Sequence, residues 1–252
     1  MSHALRLAEK GLYSTTPNPR VGCVITQNEQ IVGSGWHERA GQPHAEINAL
    51  RVAAVAARGA TAYITLEPCA HHGRTPPCTD ALIGAGIAKV IIAMEDPNPI
   101  VSGRGCAVLQ QAGIEVQTGL LQMDAQALNI GFVNRMIHQK PWIRIKTAAS
   151  LDGKTALNNG ISQWITGKAA RRDGHQWRAR SCAILTGIGT IKSDNPQLTV
   201  RHVETSRQPK KIIVDSHLDI SLDAKLLQSE DEIFIFTAND EALEKKTVLS
   251  KM

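Results

Sequence analysis

Short apolar runs with the length and composition of β-strands recur along the first part of the chain. They are VGCVIT (21–26), QIVGSGW (30–36), TAYITLEP (61–68) and KVIIAME (89–95). The first two runs are separated only around Gln27 to Glu29, a spacing that predicts a β-hairpin. Helical patterns lie between the later runs, so we expect an α/β fold whose later strands are parallel.

A helix is predicted over 44–58, where many alanines are interspersed with larger apolar residues. The larger residues are Ile47, Leu50, Val52 and Val55. Because they make the helix apolar on most sides, we expect it to lie buried against the sheet. Another helix is predicted to begin after Cys78.

The start of the helix at 44 carries two polar side chains, His44 and Glu46, directly after Pro43. Proline is common at the entry of a helix, so Pro43 marks where this helix begins. Side chains two residues apart point to different faces of a helix body. His44 and Glu46 can therefore converge only at the helix end, which makes that end a candidate site.

A second unit is predicted to begin near HQKPW (138–142), which gives domains of 1–140 and 141–252. It contains a predicted helix at about 168–180. Its strand-like apolar runs are WIRIKTAAS (142–150), AILTG (183–187), KIIVDS (211–216) and EIFIFT (232–237).

Composition limits the class of protein. With 252 residues, 42% of them hydrophobic, the chain is long enough to bury a core. It has no run of about 18 apolar residues, and its opening MSHALRLAEKGLYST carries charges where a signal peptide needs an apolar block. We therefore expect a cytoplasmic protein without a membrane span.

The five cysteines are odd in number and widely scattered, which argues against a disulfide framework and for individual thiol roles. Cys69 follows a predicted strand and a proline, and Cys78 follows Pro76 and Pro77 ahead of a predicted helix. Both thiols therefore fall at loop-to-helix positions on the same side of the sheet as His44. One imidazole and two thiolates match a catalytic zinc site, which keeps its fourth position open for water.

Glu46 then has a chemical role beside the zinc. Zinc lowers the pKa of bound water from about 15.7 to about 7, and a carboxylate can carry the released proton to a leaving amine. His-x-Glu followed by Pro-Cys-x-x-Cys is the signature of zinc nucleobase deaminases. Here HAE (44–46) and PC (68–69) agree, but Cys78 comes nine residues after Cys69. A purely structural zinc site is the alternative, although it would need four protein ligands.

The longer cysteine spacing belongs to a wider resemblance. NPRVGCV, GWHERAGQPHAE, TLEPCAHHGRTPPC, DPNPIVSGRG and KTAASLDGK together resemble the bifunctional pyrimidine deaminase and reductase of riboflavin biosynthesis. The spacing PCxHxGxTPPC is typical of the deaminase half of that family. The resemblance implies a cytidine-deaminase-like domain, with a mixed sheet and flanking helices, followed by an incomplete dihydrofolate-reductase-like α/β domain.

The resemblance also implies substrate contacts in the deaminase half. Asn18 would lie against the pyrimidine ring, with a simple turn residue as the alternative. His71 and Arg74 would line the substrate site, and a guanidinium at Arg74 suits a phosphate. His72 is expected to be a solvated loop residue. The remaining thiols, which we expect to be buried and inert, are Cys23, Cys106 and Cys182.

The second half resembles the reductase of the same family, which uses NADPH to reduce a ribosyl group to ribityl. The resemblance rests on KTAASLDGK, SQWIT, TGIGTIKSDNPQLTVR and VDS. The residues implied near the cofactor are Ala149, Trp164, Thr190, Asp194 and Ser216. Those implied near the phosphorylated substrate are Lys146, Ser162, Arg178, Leu198 and Arg201. Considered one by one, Arg178 and Arg201 are also consistent with solvated surface charges. Trp164 is equally consistent with a core residue.

The leading hypothesis is zinc-dependent removal of the 2-amino group from 2,5-diamino-6-ribosylamino-4(3H)-pyrimidinone 5′-phosphate. A net charge of +5 and a pI near 9.0 suit this phosphorylated substrate and nucleic acid equally. The first rival, a tRNA or cytosine deaminase, needs a basic or aromatic strand-binding surface, and only five aromatic residues lie in the first 142. We therefore expect no nucleic-acid partner. The second rival is a zinc-stabilised binding module without activity. The sequence does not decide whether the protein forms a homo-oligomer.

The resemblance implies that the family's reductase half continues beyond Met252, through a further strand and a glycine-rich segment that approaches the cofactor phosphates. We therefore expect these 252 residues to deaminate without oxidising NADPH. About four strands of a larger sheet would remain, and the last of them, EIFIFT, would present an unpaired edge.

Overall fold

The computed structural model of the protein describes residues 1–71, 76–99, 101–239 and 242–251. The chain forms two compact units, Met1–Arg144 and Ile145–Met252. Each unit is built around its own β-sheet. In the described ranges, no helix is both long enough and apolar enough to cross a membrane.

Helices and strands alternate through most of the first unit. In chain order its elements are α1 (Ser2–Glu9), β1 (Gly22–Gln27), β2 (Gln30–Trp36), α2 (Ala45–Ala53), β3 (Thr61–Ile64), α3 (Cys78–Gly84), β4 (Lys89–Ile92), α4 (Arg104–Gln111), β5 (Glu115–Thr118), α5 (Gln122–Leu128) and α6 (Ile130–His138). The described strands form a sheet in the order β2-β1-β3-β4-β5. β1 is antiparallel to β2 and β3, whereas the pairs β3–β4 and β4–β5 are parallel, as the sequence pattern predicted.

The predicted hairpin joins β1 to β2. Gln27 pairs with Gln30 across the turn. Between them, Asn28 and Glu29 adopt φ angles of 50° and 65°. Two consecutive positive φ values are the backbone requirement of a type I′ turn, whose twist matches that of the paired strands. The hairpin therefore forms even though its second turn residue is a glutamate in place of the favoured glycine.

Helix α2 packs against β2 through very small residues. A Cβ atom added to Gly33 would lie 2.4 Å from the Ala49 carbonyl oxygen, and one added to Gly35 would lie 2.6 Å from the Ala49 nitrogen. The helix face towards the strands consists of Ala45, Ala49 and Ala53, all of them buried. Glycines on the strand and alanines on the helix thus bring two backbones close together.

This contact corrects the expectation that the larger apolar residues of the helix are buried. Val52 is 64% exposed and Val55 is 93% exposed, while Ile47 and Leu50 are only half-buried. The helix also ends at Ala53 and continues as a 3₁₀ turn over Ala54–Ala57. The buried face follows the alanines because larger side chains cannot fit where the two backbones approach so closely.

The second unit contains a parallel sheet. Its elements are α7 (Lys168–Arg180), β6 (Ala183–Gly187), α8 (Ile188–Asp194), β7 (Lys210–Val214), β8 (Ile233–Phe236) and α9 (Leu243–Leu249). In the part of the unit that the structure describes, the sheet order is β6-β7-β8 and both pairs are parallel. Helix α7 and these three strands confirm the corresponding predictions. Ile213, Ile220 and Leu226 are fully buried in the core of this unit.

Two predictions for this half of the chain are wrong. The run 142–150 forms no strand, and Ile143 and Ile145 are exposed. No described strand pairs with this run, and an extended segment without a partner leaves its backbone groups to water. Cys182 is exposed as well, because it lies in the junction between α7 and β6, whereas Cys23 and Cys106 are buried as expected.

We predict that Gly35→Ala lowers the free energy of unfolding of the first unit by about 1–3 kcal/mol, because the added methyl group overlaps backbone atoms that cannot rotate away. The measurement is the midpoint of urea unfolding. Gly84→Ala is the matched control, since its Cβ atom meets nothing within 4 Å. Equal midpoints for the two variants would contradict the close contact between α2 and β2.

Candidate metal centre and active sites

Three side chains with metal-binding atoms meet at one end of the first sheet. His44 is the N-cap residue of α2, Cys69 lies in the loop after β3, and Cys78 is the first residue of α3. His44 Nδ1 lies 3.2 Å from Cys78 Sγ and 3.6 Å from Cys69 Sγ. All three atoms lie within 4.8 Å of one another. Ligands of a tetrahedral zinc ion at ordinary bond lengths lie about 3.6 Å apart, so this donor set fits zinc.

The two thiols share their protonation. The pKa of Cys69 is lowered to about 4, because the Cys78 thiol donates to its sulfur, with further help from His44 and the Cys78 backbone N–H. The pKa of Cys78 is raised, because its proton is held by the Cys69 sulfur. The pKa of His44 is raised by its hydrogen bond to Cys69. The cluster therefore holds protons that a bound cation would displace.

Glu46 lies in the first turn of α2 beside these three residues. It is 3% exposed, and its Oε2 atom has no hydrogen-bond partner among the described residues. Burial raises the pKa of Glu46 to about 6, against the opposing charge of His44. A buried carboxylate oxygen of this kind calls for a partner, which the described residues do not supply. A water molecule on a metal ion at the neighbouring ligands would be such a partner.

Asn18 belongs to a hydrogen-bonded chain that ends at the helix start. The Asn18 amide nitrogen lies 3.1 Å from His37 Nε2, and His37 Nδ1 lies 3.2 Å from the Pro43 carbonyl oxygen. A carbonyl oxygen only accepts, so Nδ1 carries the proton and Nε2 accepts from Asn18. Burial lowers the pKa of His37, which favours this neutral form. The His37 ring also meets the His44 ring edge to face, with centroids 5.4 Å apart.

His37 was not among the residues predicted from the sequence. Its only signal was its position at the end of an apolar strand, inside the stretch GWHERAGQPHAE. Its contact with Asn18 joins residues 19 apart in the chain, so this contact becomes visible only in the fold. The Asn18 amide is thus oriented by a buried side chain, and its predicted contact with the pyrimidine ring stays a prediction.

His71 is exposed and borders a cavity of about 310 Å³ beside the metal-ligand segment. Val101 and Arg104 line the same cavity. Arg74 and His72 lie outside the described residues, so their predicted roles stay predictions.

In the second unit, several residues predicted near the cofactor follow the carboxyl ends of parallel strands. Thr190 and Asp194 lie on α8, which begins directly after β6, and Ser216 follows β7. The Ser162 hydroxyl donates to Asp194 Oδ1 at 2.8 Å, which joins a predicted substrate residue to a predicted cofactor residue. Among the described residues, no hydrogen bond joins Ala149 or Lys146 to this group, and both are exposed.

Arg178 and Arg201 lie close together around a buried histidine, His175. His175 Nδ1 accepts the Arg201 backbone N–H at 3.2 Å and lies 3.5 Å from Arg178 Nη1. Burial and the two arginines lower the pKa of His175 to about 4, so it stays neutral. Arg178 also donates to the Thr199 carbonyl oxygen at 2.8 Å, and burial lowers its pKa. The surface-charge reading therefore fails for Arg178, while the Arg201 side chain is exposed.

Trp164 is 69% exposed, which excludes its reading as a core residue. The Arg171 guanidinium lies over its ring, 4.4 Å from the centroid. Leu198 is buried and has a φ of 56°, an uncommon backbone conformation for a leucine. His175, like His37, was missed in the sequence, because its importance lies in contacts with Arg178 and Arg201.

Comparison with known proteins covers both halves of the chain. The cytidine and deoxycytidylate deaminase zinc-binding region matches residues 1–94, and the RibD C-terminal domain matches residues 141–250. The riboflavin biosynthesis protein RibD of Escherichia coli K12 is 50% identical over 256 residues, which cover 97% of this chain and 70% of the relative. The chain belongs to the RibD family. The predicted family and the predicted fold classes of its two halves are confirmed.

Solved structures of the family have the same fold. The first form of Acinetobacter baumannii RibD superposes with a TM-score of 0.92 at 48% identity and covers 98% of this chain and 70% of that one. A Thermotoga maritima diaminohydroxyphosphoribosylaminopyrimidine deaminase/5-amino-6-(5-phosphoribosylamino)uracil reductase superposes with a TM-score of 0.91 at 41% identity, covering 96% and 70%. RibD proteins are deaminases and reductases of riboflavin biosynthesis, with a zinc-binding deaminase domain and an NADPH-dependent reductase domain.

We predict that Cys69→Ser and Cys78→Ser each weaken zinc binding by more than about 100-fold, because each removes one of three protein ligands. Elemental analysis after dialysis against a zinc buffer measures the loss. Cys182→Ser removes an exposed thiol of the second unit and should keep full zinc content. Full occupancy in both of the first two variants would contradict the ligand assignment.

Proposed function

We propose that the first unit hydrolyses the 2-amino group of 2,5-diamino-6-ribosylamino-4(3H)-pyrimidinone 5′-phosphate, and that the second unit belongs to a reductase that reduces the ribosyl side chain of the deaminated product with NADPH. The observation that carries the first activity is the buried Glu46 carboxylate beside His44, Cys69 and Cys78, with an oxygen that has no hydrogen-bond partner in the part of the chain that the structure describes. The family supports both activities.

His44, Cys69 and Cys78 would hold the zinc ion, each through the atom that already faces the other two. When bound, zinc supplies a water molecule of lowered pKa and a Lewis acid for the attacked carbon. Three ligands leave one position free for that chemistry. The low pKa of Cys69 means that this thiolate is available for the metal at neutral pH.

Glu46 moves the protons of the reaction. It accepts a proton from the attacking water, and it returns that proton to the exocyclic nitrogen, which leaves as ammonia. The raised pKa of about 6 suits a group that must both accept and donate near neutral pH. Because Glu46 lies in the first turn of α2, whose alanine face packs on β2, its position depends on backbone packing more than on a flexible side chain.

Asn18 would orient the pyrimidine ring. Its amide nitrogen is engaged by His37, so its carbonyl oxygen is the atom left to accept an N–H group of the substrate. His37 would hold that orientation because burial keeps its ring neutral and its other nitrogen is bound to Pro43. The sugar-phosphate end would extend towards His71, with Arg74 as the proposed phosphate ligand.

Two rival functions are separable by experiment. A deaminase of tRNA or free cytosine would release ammonia from those substrates and leave the pyrimidine phosphate unchanged. A zinc-stabilised binding module would release ammonia from neither. The family favours the riboflavin pathway reaction, and the comparison of three substrates on one preparation decides among the three functions.

We predict that Glu46→Gln lowers ammonia release by about 10²–10⁴-fold, because an amide of the same shape cannot accept the proton. Zinc content should stay complete, since Glu46 is not a ligand in this proposal. Glu115→Gln changes an exposed glutamate of β5 and is the matched control, with turnover like that of the parent protein. Equal turnover of the Glu46 variant would remove Glu46 from the mechanism.

In the second unit, Ala149, Trp164, Thr190, Asp194 and Ser216 are the proposed cofactor residues. The proposed substrate residues are Lys146, Ser162, Arg178, Leu198 and Arg201. The best supported pair is Arg178 and Arg201, since His175 touches both and no described ion pair neutralises either guanidinium. Two neighbouring guanidinium groups without a described carboxylate partner form an anion site that suits a phosphate.

We predict that Arg178→Ala raises the dissociation constant of the deaminated ribosylamino pyrimidine phosphate for the second unit by about tenfold or more, because a charge-assisted hydrogen bond is lost. Calorimetric titration measures it. Arg172→Ala, on an exposed position of the same helix, should change the constant less than about twofold. Similar effects of the two variants would contradict the phosphate role of Arg178.

A further inference from the structure

Glu67 is a second buried glutamate of the first unit. Unlike Glu46, it has hydrogen-bond partners among the described residues for both of its carboxylate oxygens. It is 3% exposed, and its carboxylate accepts four backbone N–H groups. Oε2 accepts those of Asp96 and Gly103, both at 3.0 Å. Oε1 accepts those of Gly105 at 2.8 Å and Cys106 at 3.2 Å. Both oxygens are thus satisfied by backbone donors of one segment, 96–106.

The donors from Gly105 and Cys106 belong to the first turn of α4. The first N–H groups of any helix lack an intrahelical acceptor, and a side chain at the N-cap position usually provides one. The N-cap residue of α4 is Gly103, which has no side chain. Glu67 supplies the missing acceptor from a distant part of the sequence, and its negative charge is favourable at the positive end of the helix.

The start of α4 packs closely against the segment that contains Glu67 and Pro68. A Cβ atom on Gly105 would lie 2.1 Å from the Pro68 carbonyl oxygen and 3.1 Å from Glu67 Oε1. Position 105 therefore has room for glycine alone. Pro68 directly precedes Cys69, so the segment held by Glu67 lies against the part of the chain that carries a metal ligand.

The held segment also forms one wall of the cavity beside His71. Val101 and Arg104 lie between the N–H groups that Glu67 binds, and both line this cavity together with Ala70 and His71. Ala70 and His71 follow Cys69 directly along the chain. A shift of the 96–106 segment would change the distance between Arg104 and His71 without touching the metal ligands themselves.

We propose that Glu67 is a positioning residue for substrate binding: it fixes the 96–106 segment against the metal-ligand segment and so sets the width of the cavity that receives the sugar-phosphate end of the substrate. This inference rests on the proposed deaminase function. It assigns Glu67 no contact with substrate or metal. Its effect on substrate binding passes through the backbone of Gly103 to Cys106. Arg104, which lines the cavity, belongs to this stretch.

Two variants disturb the contact from its two sides. Glu67→Gln keeps the shape but replaces one acceptor oxygen by an NH₂ group, which faces backbone donors and cannot bind them. Gly105→Ala keeps the carboxylate but inserts a methyl group against Pro68. The matched controls are Glu115→Gln on exposed β5 and Gly84→Ala, whose Cβ atom meets nothing within 4 Å.

For both variants we expect KM for the pyrimidine phosphate to rise about tenfold or more, with kcat changed less than about threefold, because ground-state and transition-state binding are lost together. Zinc content and the absorption spectrum of the cobalt-substituted protein should match those of the parent, since His44, Cys69 and Cys78 stay in place. A variant that merely destabilised the unit would lose active protein, which lowers apparent kcat and leaves KM unchanged.

Amide hydrogen exchange tests the contact without turnover. In the parent protein the amides of Gly103, Gly105 and Cys106 should exchange slowly, and in Glu67→Gln their exchange should accelerate about tenfold or more, while the amides of α2 keep their rates. Fast exchange of these amides in the parent protein would overturn the contact, whether or not a variant folds.

Unchanged KM in both variants would overturn the positioning role. Absence of ammonia release by the parent protein would instead overturn the proposed function, and the exchange result would still stand on its own.

Discussion

The close approach of α2 to β2 is the contact on which the metal centre depends. Gly33 and Gly35 leave no side chain between the strand and the helix, so the alanine face of α2 lies directly on the strand backbone. This fixes the helix start at the end of the sheet where the chain leaves β3. His44 and Glu46 are thereby held at a defined distance from Cys69 and Cys78, which no flexible loop could achieve with the same accuracy.

Glu46 and Glu67 show how environment divides the roles of two identical side chains. Both are almost completely buried. Glu67 has both oxygens bound by backbone N–H groups, so its charge is stabilised and its position is fixed. Glu46 keeps an oxygen for which no described residue is a hydrogen-bond partner, and burial raises the pKa of this carboxyl group. The satisfied carboxylate suits a structural task, and the unsatisfied one suits proton transfer.

Histidines have a comparable supporting task in both units. His37 is neutral because it is buried, and it orients the Asn18 amide through the nitrogen that Pro43 leaves free. His175 is neutral because burial and two arginines disfavour its charge, and it accepts the Arg201 backbone N–H. In each case a neutral imidazole offers one acceptor at a fixed place. The polar groups that we propose as ligand contacts are thus oriented by residues with no charge of their own.

The sequence alone determined strands β1 to β4 and helices α2 and α3 of the first unit, the hairpin turn, the family, and the set His44, Glu46, Cys69 and Cys78, because these rest on local pattern and on motif spacing. It did not predict β5 or the helices α1 and α4 to α6. It could not determine which face of α2 is buried, since Val52 and Val55 are more apolar than the alanines that the strand backbone requires. It predicted a strand at 142–150 that has no described neighbour to pair with. The partners of His37, Glu67 and His175 were equally hidden. Asn18 lies 19 residues from His37, the Arg201 N–H lies 26 residues from His175, and the donors to Glu67 lie 29 to 39 residues away. Only the tertiary structure decides where groups so far apart in the chain meet.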